Sequence, residues 1–458
     1  MRIIATLQNI PPERNSIRVS RLRRPRVACT GFVSEEAGSV AAANALLLRT
    51  LLDFGVEIDF FSKPTFVDPR PAIGEREGFL FIPVVNSWSD GLRRRVGKGP
   101  MFGTLAARND AACYNRLLVH RIRAEQRRRS YDAVLWLGDY AHGTVPGVPT
   151  ISFAQGPPGT DARSVLRHRA EIRRLAGNVS AMKWEMLARL RLSSWGLPTF
   201  RHSDHFIVGS SVSRERLVGT YRIPRERIST LPYPIDLNLF RPQAPVLSVS
   251  NGSQPCPESI ERVRPPVSVP LRLLWLGRIV PRKRLDVFLD GAALAIQEGV
   301  NLEVAVVGGC HFIPGYDKLL KGFAFQERLR WMENVPRSEV TRILRQYDVL
   351  AQPSDEENFG SSVAEAQACG LPVIVGATNG NSDYLCARDI HLKNDRPDTF
   401  AAALREMAVR KSAGRWGDAR ESRELAEREF CLRPVAQRLM EIIQHICDRN
   451  PQHSCASA

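Results

Sequence analysis

The stretch Ser354-Asp355-Glu356-Glu357-Asn358-Phe359-Gly360-Ser361-Ser362-Val363-Ala364-Glu365-Ala366-Gln367-Ala368-Cys369-Gly370-Leu371-Pro372-Val373-Ile374 decides how this chain folds. It follows the short apolar run Val349–Gln352 and reads as strand, loop, helix, strand, the repeating unit of a helix-covered parallel sheet. Phe359-Gly360 lets the backbone approach a ligand closely. The helix that follows aims free N–H groups at the same place, a geometry suited to phosphate or a hydroxyl. Glu357 in the loop and Glu365 in the helix are acceptor-only carboxylates flanking that helix start, which suits polyhydroxylated rings. Ser362-x-x-Glu365 is equally the spacing of a capping box, which would leave Glu357 a solvated loop acid.

Moving outward, the strand Leu271–Leu276 ends in Gly277-Arg278-Ile279-Val280-Pro281-Arg282-Lys283-Arg284. Arg278 can grip a phosphate with its fork, and Lys283 adds a point charge one loop further on. A helix over 284–297, a strand over 302–307, a helix over 339–347 and a strand over 372–375 complete this half. The other half begins with a strand over 26–33, a loop over 34–39 containing Gly38, and an Ala/Leu-rich helix over 41–54 stopped by Gly55. Strands follow at 56–61, 133–137, 150–153 and 205–208, with helical stretches at 162–192 and from Arg214. Between the halves, residues 241–270 hold seven prolines with several serines and no periodicity, the pattern of a linker or insertion. The chain therefore divides into a basic arm (1–25), a first α/β domain (26–240), the linker (241–270), a second α/β domain (271–430), and a last helix with a disordered tail (431–458).

Charge is concentrated. The 458 residues carry 64 Lys+Arg against 48 Asp+Glu, a formal +16. Residues 1–26 have seven arginines against Glu13, and residues 85–130 have eleven basic side chains against three acidic ones. Two such segments point to an anionic partner on the first half, a bilayer, a nucleic acid or a phosphorylated substrate, or else to a solvated basic face. They lack interleaved aromatics or a reader motif, so no nucleic acid is expected. Nine cysteines form no C-x-x-C pair, and no run is apolar enough to span a bilayer or to serve as a secretory leader. A cytoplasmic location fits, peripheral on the inner face of the membrane.

The ordered set Gly277-Arg278-x4-Lys283, Val306-Val307-Gly308-Gly309, Val335-Pro336, Tyr347–Ser354 and Glu357-x7-Glu365 resembles the retaining GT-B glycosyltransferases of family four (group one). The resemblance runs most fully over 271–385, and more sparsely over 26–62 and 200–242. It implies two Rossmann-like, doubly wound parallel-sheet domains facing each other across a cleft. It also implies transfer of a hexosyl unit from a nucleotide-diphosphate sugar to a hydroxyl acceptor, a glycan, lipid-linked or polysaccharide precursor, with retention of configuration. Glu357 would lie against the donor sugar and Glu365 would hold the ribose. Arg278 and Lys283 would neutralise the diphosphate, and Gly277, Asn358, Phe359, Gly360, Ser361 and Gly38 would line the donor site.

Three positions depart from the family pattern. Asn358 stands where a glycine is usual, Ser39 replaces the second glycine after Gly38, and Gln155-Gly156 replaces His-Gly. Gln155 can contact donor sugar or acceptor but cannot titrate. His142 and His205 read as packed or surface residues. With no Asp-x-Asp and no metal-ligand spacing, neither cofactor nor metal is expected, and diphosphate charge falls to protein cations and the helix N-terminus. A binding protein of the same fold without turnover is the alternative that Gln155 and Asn358 raise.

Overall fold

The computed structural model describes residues 24–35, 38–62, 68–85, 100–193, 197–242, 269–310, 312–333 and 335–449, with backbone only over 100–111. Most of the basic arm, residues 86–99 of the second basic segment, most of the linker and the tail lie outside the described residues.

Two parallel sheets carry the fold. The first has strands β1 (Arg26–Gly31), β2 (Glu57–Ser62), β3 (Phe79–Pro83), β4 (Ala133–Gly138), β5 (Thr150–Ala154), β6 (His205–Val208) and β7 (Ile228–Thr230), in the order β3-β2-β1-β4-β5-β6-β7. Its helices are α1 (Ser39–Asp53), α2 (Arg70–Ile73), α3 (Pro100–Arg129), α4 (Thr160–Arg167), α5 (Arg169–Ala176), α6 (Asn178–Leu192) and α7 (Ser211–Tyr221). The second sheet has β8 (Leu271–Leu276), β9 (Leu302–Val307), β10 (Leu329–Met332), β11 (Val349–Gln352), β12 (Val373–Val375) and β13 (Ile390–His391), in the order β10-β9-β8-β11-β12-β13. Around it lie α8 (Leu285–Gln297), α9 (Asp317–Lys321), α10 (Arg337–Leu344), α11 (Ser361–Ala368), α12 (Pro397–Ser412) and α13 (Ala419–Phe430). The last helix, α14 (Leu432–Asp448), returns to pack on α1.

Central strands such as β4 (Ala-Val-Leu-Trp-Leu-Gly) are buried along their whole length, as expected where helices cover both faces of a parallel sheet. Strand order reverses between β1 and β4 in one sheet and between β8 and β11 in the other. Ligands bind at such switch points, beyond the carboxyl ends of the strands. Gly38 follows β1, Gly277-Arg278 follows β8, and Ser354–Glu357 follows β11, so the sequence motifs meet where the topology opens a crevice.

The stretch 162–192 is helical, but in three pieces, broken at His168 and at Gly177, whose φ is 82°. Although these helices precede the linker, Ala162, Val165, Ile172, Leu175, Ala181 and Ala188 share one apolar cluster with Leu273, Trp275 and Val306 of the second sheet and Phe288 of α8. This unit of the first half thus packs on the second.

Gly308, just past β9, has φ 151°, and a Cβ there would lie 1.8 Å from the carbonyl oxygen of Gly277. We expect Gly308→Ala to cost at least about 2 kcal/mol of stability, since strain and clash coincide. Chemical denaturation checks this, and an unchanged midpoint would contradict the strand packing described.

Candidate active site

The loop between β11 and α11 is held from both halves. Glu357 is buried, and its Oε2 accepts from Lys283 Nζ at 2.7 Å and from Arg282 Nη1 at 2.7 Å. Burial alone would raise its pKa, but the two cations bring it down to about 2, so the carboxylate is ionised at neutral pH. Burial lowers the pKa of Lys283, against the pull of Glu357. The short helical turn Pro281–Lys283 aims both cations inward. Arg282 also reaches Asp161 at 2.7 Å, across the cleft on α4.

Beside this cluster lies a cavity of about 370 Å³, lined by Gln155, Thr160, Asp161, Arg191, Arg278, Arg282, Glu357 and Asn358, among others. Arg278 is two-thirds exposed, with Asp161 3.8 Å away. The site therefore gathers Glu357, Lys283, Arg278, Asn358 and Gln155 as the motifs anticipated. It adds Arg282, Asp161 and Arg191, which the sequence reading passed over. Arg282 stood inside the quoted motif, next to Lys283. Nothing local marked the other two.

Glu365 is elsewhere. It is buried on α11 and pairs with Arg337 at 3.0 Å. Arg337 lines a second cavity of about 700 Å³ with Glu35, Arg49, Asp236 and Val335. The capping-box alternative does not form. Gly360 is the residue before the helix and makes no side-chain cap, while Ser362 Oγ accepts from Gln352 Nε2 at 2.6 Å. The Gly360 amide is already donated to Asn381 Oδ1 at 2.6 Å. Gly38 immediately precedes α1, and a Cβ there would meet nothing within 4 Å, whereas one at Gly277 would lie 3.4 Å from the methylenes of Lys283. The Phe359 ring packs among Tyr233, Tyr384 and Phe430, leaving backbone as its means of ligand contact. His205 is buried, 2.8 Å from Ser229 Oγ, and burial brings its pKa down to about 4. His142 stacks edge-on against Trp136.

The halves are clasped around the loop. Asn358 Oδ1 accepts from the Gly209 amide at 3.0 Å, and a Cβ at Gly209 would lie 2.6 Å from that of Phe359. Asp383 accepts from the Ser211 amide at 2.6 Å, at the start of α7. Arg163 pairs with buried Glu356, Arg167 with Asp355 at 2.9 Å, and His168 Nε2 lies 2.5 Å from Asp355 Oδ2. The three acids 355–357 are thus each met by cations, two of them from across the cleft.

Residues 260–420 match the family model described as glycosyl transferases group 1. The chain is 32% identical over 187 residues to the D-inositol 3-phosphate glycosyltransferase of Thermomonospora curvata, a match spanning 39% of this chain and 42% of that protein. It is 23% identical over 379 residues to the namesake from Thermobispora bispora, spanning 79% and 80%. In the first of these the chain spans about two-fifths of the relative's length. Among solved structures, sucrose-phosphate synthase from Thermosynechococcus elongatus superposes with a TM-score of 0.62 over 92% of this chain and 99% of that one, at 16% identity. Anabaena HepE in complex with UDP and glucose gives 0.55 over 92% and 99%, at 14%. The two facing sheets are the GT-B fold.

Two outcomes follow. Arg163→Leu should cost about 3 kcal/mol by leaving Glu356 buried without its main partner. The double variant Arg163→Leu/Glu356→Leu should recover part of that loss in denaturant titrations, and a double variant weaker than the single one would contradict the pairing. For Glu357, the folded pKa lies below the ordinary value of 4.5, so its contribution is complete above that pH and is lost on acidification toward about 2. The stability gap between wild type and Glu357→Gln should therefore be constant above pH 4.5 and narrow below it.

Proposed function

We propose that this chain transfers a hexosyl unit from a nucleotide-diphosphate sugar to a hydroxyl acceptor, with retention of configuration. One observation carries the reading: an ionised, buried Glu357 shared by Lys283 and Arg282, at the edge of an Arg-lined cavity over a switch point. As the bond from sugar C1 to the diphosphate oxygen breaks, positive charge grows on the sugar and negative charge on the departing phosphate. Glu357 faces the first, and Lys283, Arg282 and Arg278 meet the second. Fixed charges of this kind lower such barriers by about 3 kcal/mol per donor. The acceptor oxygen attacks C1 from the face the phosphate leaves, and its proton passes to that phosphate oxygen. Gln155, unable to titrate, positions hydroxyls.

The acceptor enters the 370 Å³ cavity from the first half. The relatives are named for inositol 3-phosphate, and an anionic polyol suits a cavity holding Arg191 and Arg278. Among the described residues no helix is long and apolar enough to cross a membrane. Docking of residues 1–26 and 85–130 on an anionic inner membrane face, with a lipid-linked acceptor, belongs to the same proposal.

The test is release of nucleoside diphosphate from a panel of uridine, guanosine and adenosine diphosphate sugars, with and without inositol 3-phosphate. Glu357→Gln should lower kcat by about 100-fold or more, Lys283→Ala should raise the donor KM, and a chelator of divalent ions should leave turnover intact. Binding of donors with no release from any of them would favour the reading that Gln155 raises, a nucleotide-sugar-binding protein without turnover. No binding of any donor would overturn both.

A further inference from the structure

Helix α6 is apolar on two opposite sides. At about 100° per residue, Ala181, Trp184, Ala188 and Leu192 form one side, which packs inward: Ala181 and Ala188 are buried and the Trp184 ring lies 5.4 Å from that of Phe312. The opposite side carries Val179, Met182, Met186 and Leu190, exposed by 80%, 69%, 52% and 38%. Four of the eleven large apolar side chains exposed among the described residues thus sit on this one stripe, while the other seven are scattered along the chain. A helix apolar all round is ordinarily covered on both sides, and a continuous exposed stripe marks a surface that meets something.

The surroundings say what it meets. Lys183 flanks the stripe on one side and Arg189 on the other. Residues 169–192 hold six basic side chains against Glu171 and Glu185, and Glu185 is already paired with Arg173 at 3.1 Å. An apolar stripe bordered by cations is the pattern of a helix lying in the interface of an anionic bilayer, with its apolar side chains among the acyl chains and its cations at the headgroups. The stripe ends at Leu190, next to Arg191, which lines the cavity at Glu357.

We propose that the outer face of α6 docks on an anionic lipid surface and brings the cavity mouth to it. This contact is separate from the basic segments 1–26 and 85–130 and adds to any docking they provide. The surface carries no part of the transfer chemistry, and its test needs no donor or acceptor.

The test is flotation of the full chain with vesicles of phosphatidylcholine, with and without phosphatidylglycerol. The wild type should float with the phosphatidylglycerol vesicles and lose binding as salt is raised. Met182→Asp/Met186→Asp should lower that binding by about tenfold or more, and Lys183→Glu should weaken it and flatten its salt dependence. All three positions are exposed, and thermal midpoints matching the wild type show that the variants fold. Should the double variant unfold, Lys183→Glu alone decides. Wild type that stays unbound, or variants that bind like wild type, would overturn the proposal. So would a wild type that is dimeric by size exclusion and becomes monomeric in the double variant, because the stripe would then be the contact between two copies.

Discussion

One buried carboxylate organises this molecule. Glu357 has left water for a crevice between two sheets, which is tolerable only because Lys283 and Arg282 stand 2.7 Å from it. Those cations are in turn fixed by a tight turn after β8, and Arg282 is shared with Asp161 of the opposite half. Remove the carboxylate, and two buried positive charges that shared one oxygen are left side by side, with only Arg282 keeping a second acid, Asp161. Add a diphosphate, and they have a second anion to serve. The same arrangement that holds the cleft together is therefore the one that would receive a phosphorylated donor.

Closure follows from the neighbours of that carboxylate. Asp355 and Glu356 precede it and are bound by His168, Arg167 and Arg163 from α4 and the turn after it. Because α4, α5 and α6 also contribute to the apolar cluster of the second sheet, they behave as a bridge: first-half sequence, second-half packing. Asn358 continues the same line, reaching the Gly209 amide at the end of β6. Its side chain spans the gap between the halves. Glu365 lies under Arg337 rather than facing an open pocket, so a ribose reaching it would first meet a guanidinium.

Much of this was legible in the sequence, for a physical reason. Strand-loop-helix periodicity is local, so β1-α1-β2 and strands β8, β9, β11 and β12 could be read from apolar runs and glycines, whereas the strand order, and the two switch points with it, depends on pairing between distant segments. Glu357 and Lys283 were legible because a motif fixes their spacing along the chain. The rest depends on contacts between distant residues. Arg282 is one more arginine in a basic turn until its partner 75 positions away is known. Helices 160–192 gave no hint of which sheet they would cover, since the apolar faces of Ile172 and Leu175 suit either. Strands β3 and β10, with mixed burial along their lengths, and the polar helix α3 lacked the apolar runs by which the buried strands were read. Arg337 above Glu365 follows from the fold alone.

Lys283 and Arg282 are held by Glu357, and under the proposed function a diphosphate would compete with that carboxylate for them. Titration calorimetry with inorganic pyrophosphate, comparing wild type with Glu357→Gln, tests it most directly. Pyrophosphate should bind the variant more tightly, because the cations lose their resident anion while the pocket keeps its shape. Equal or weaker binding by a folded Glu357→Gln protein would contradict it.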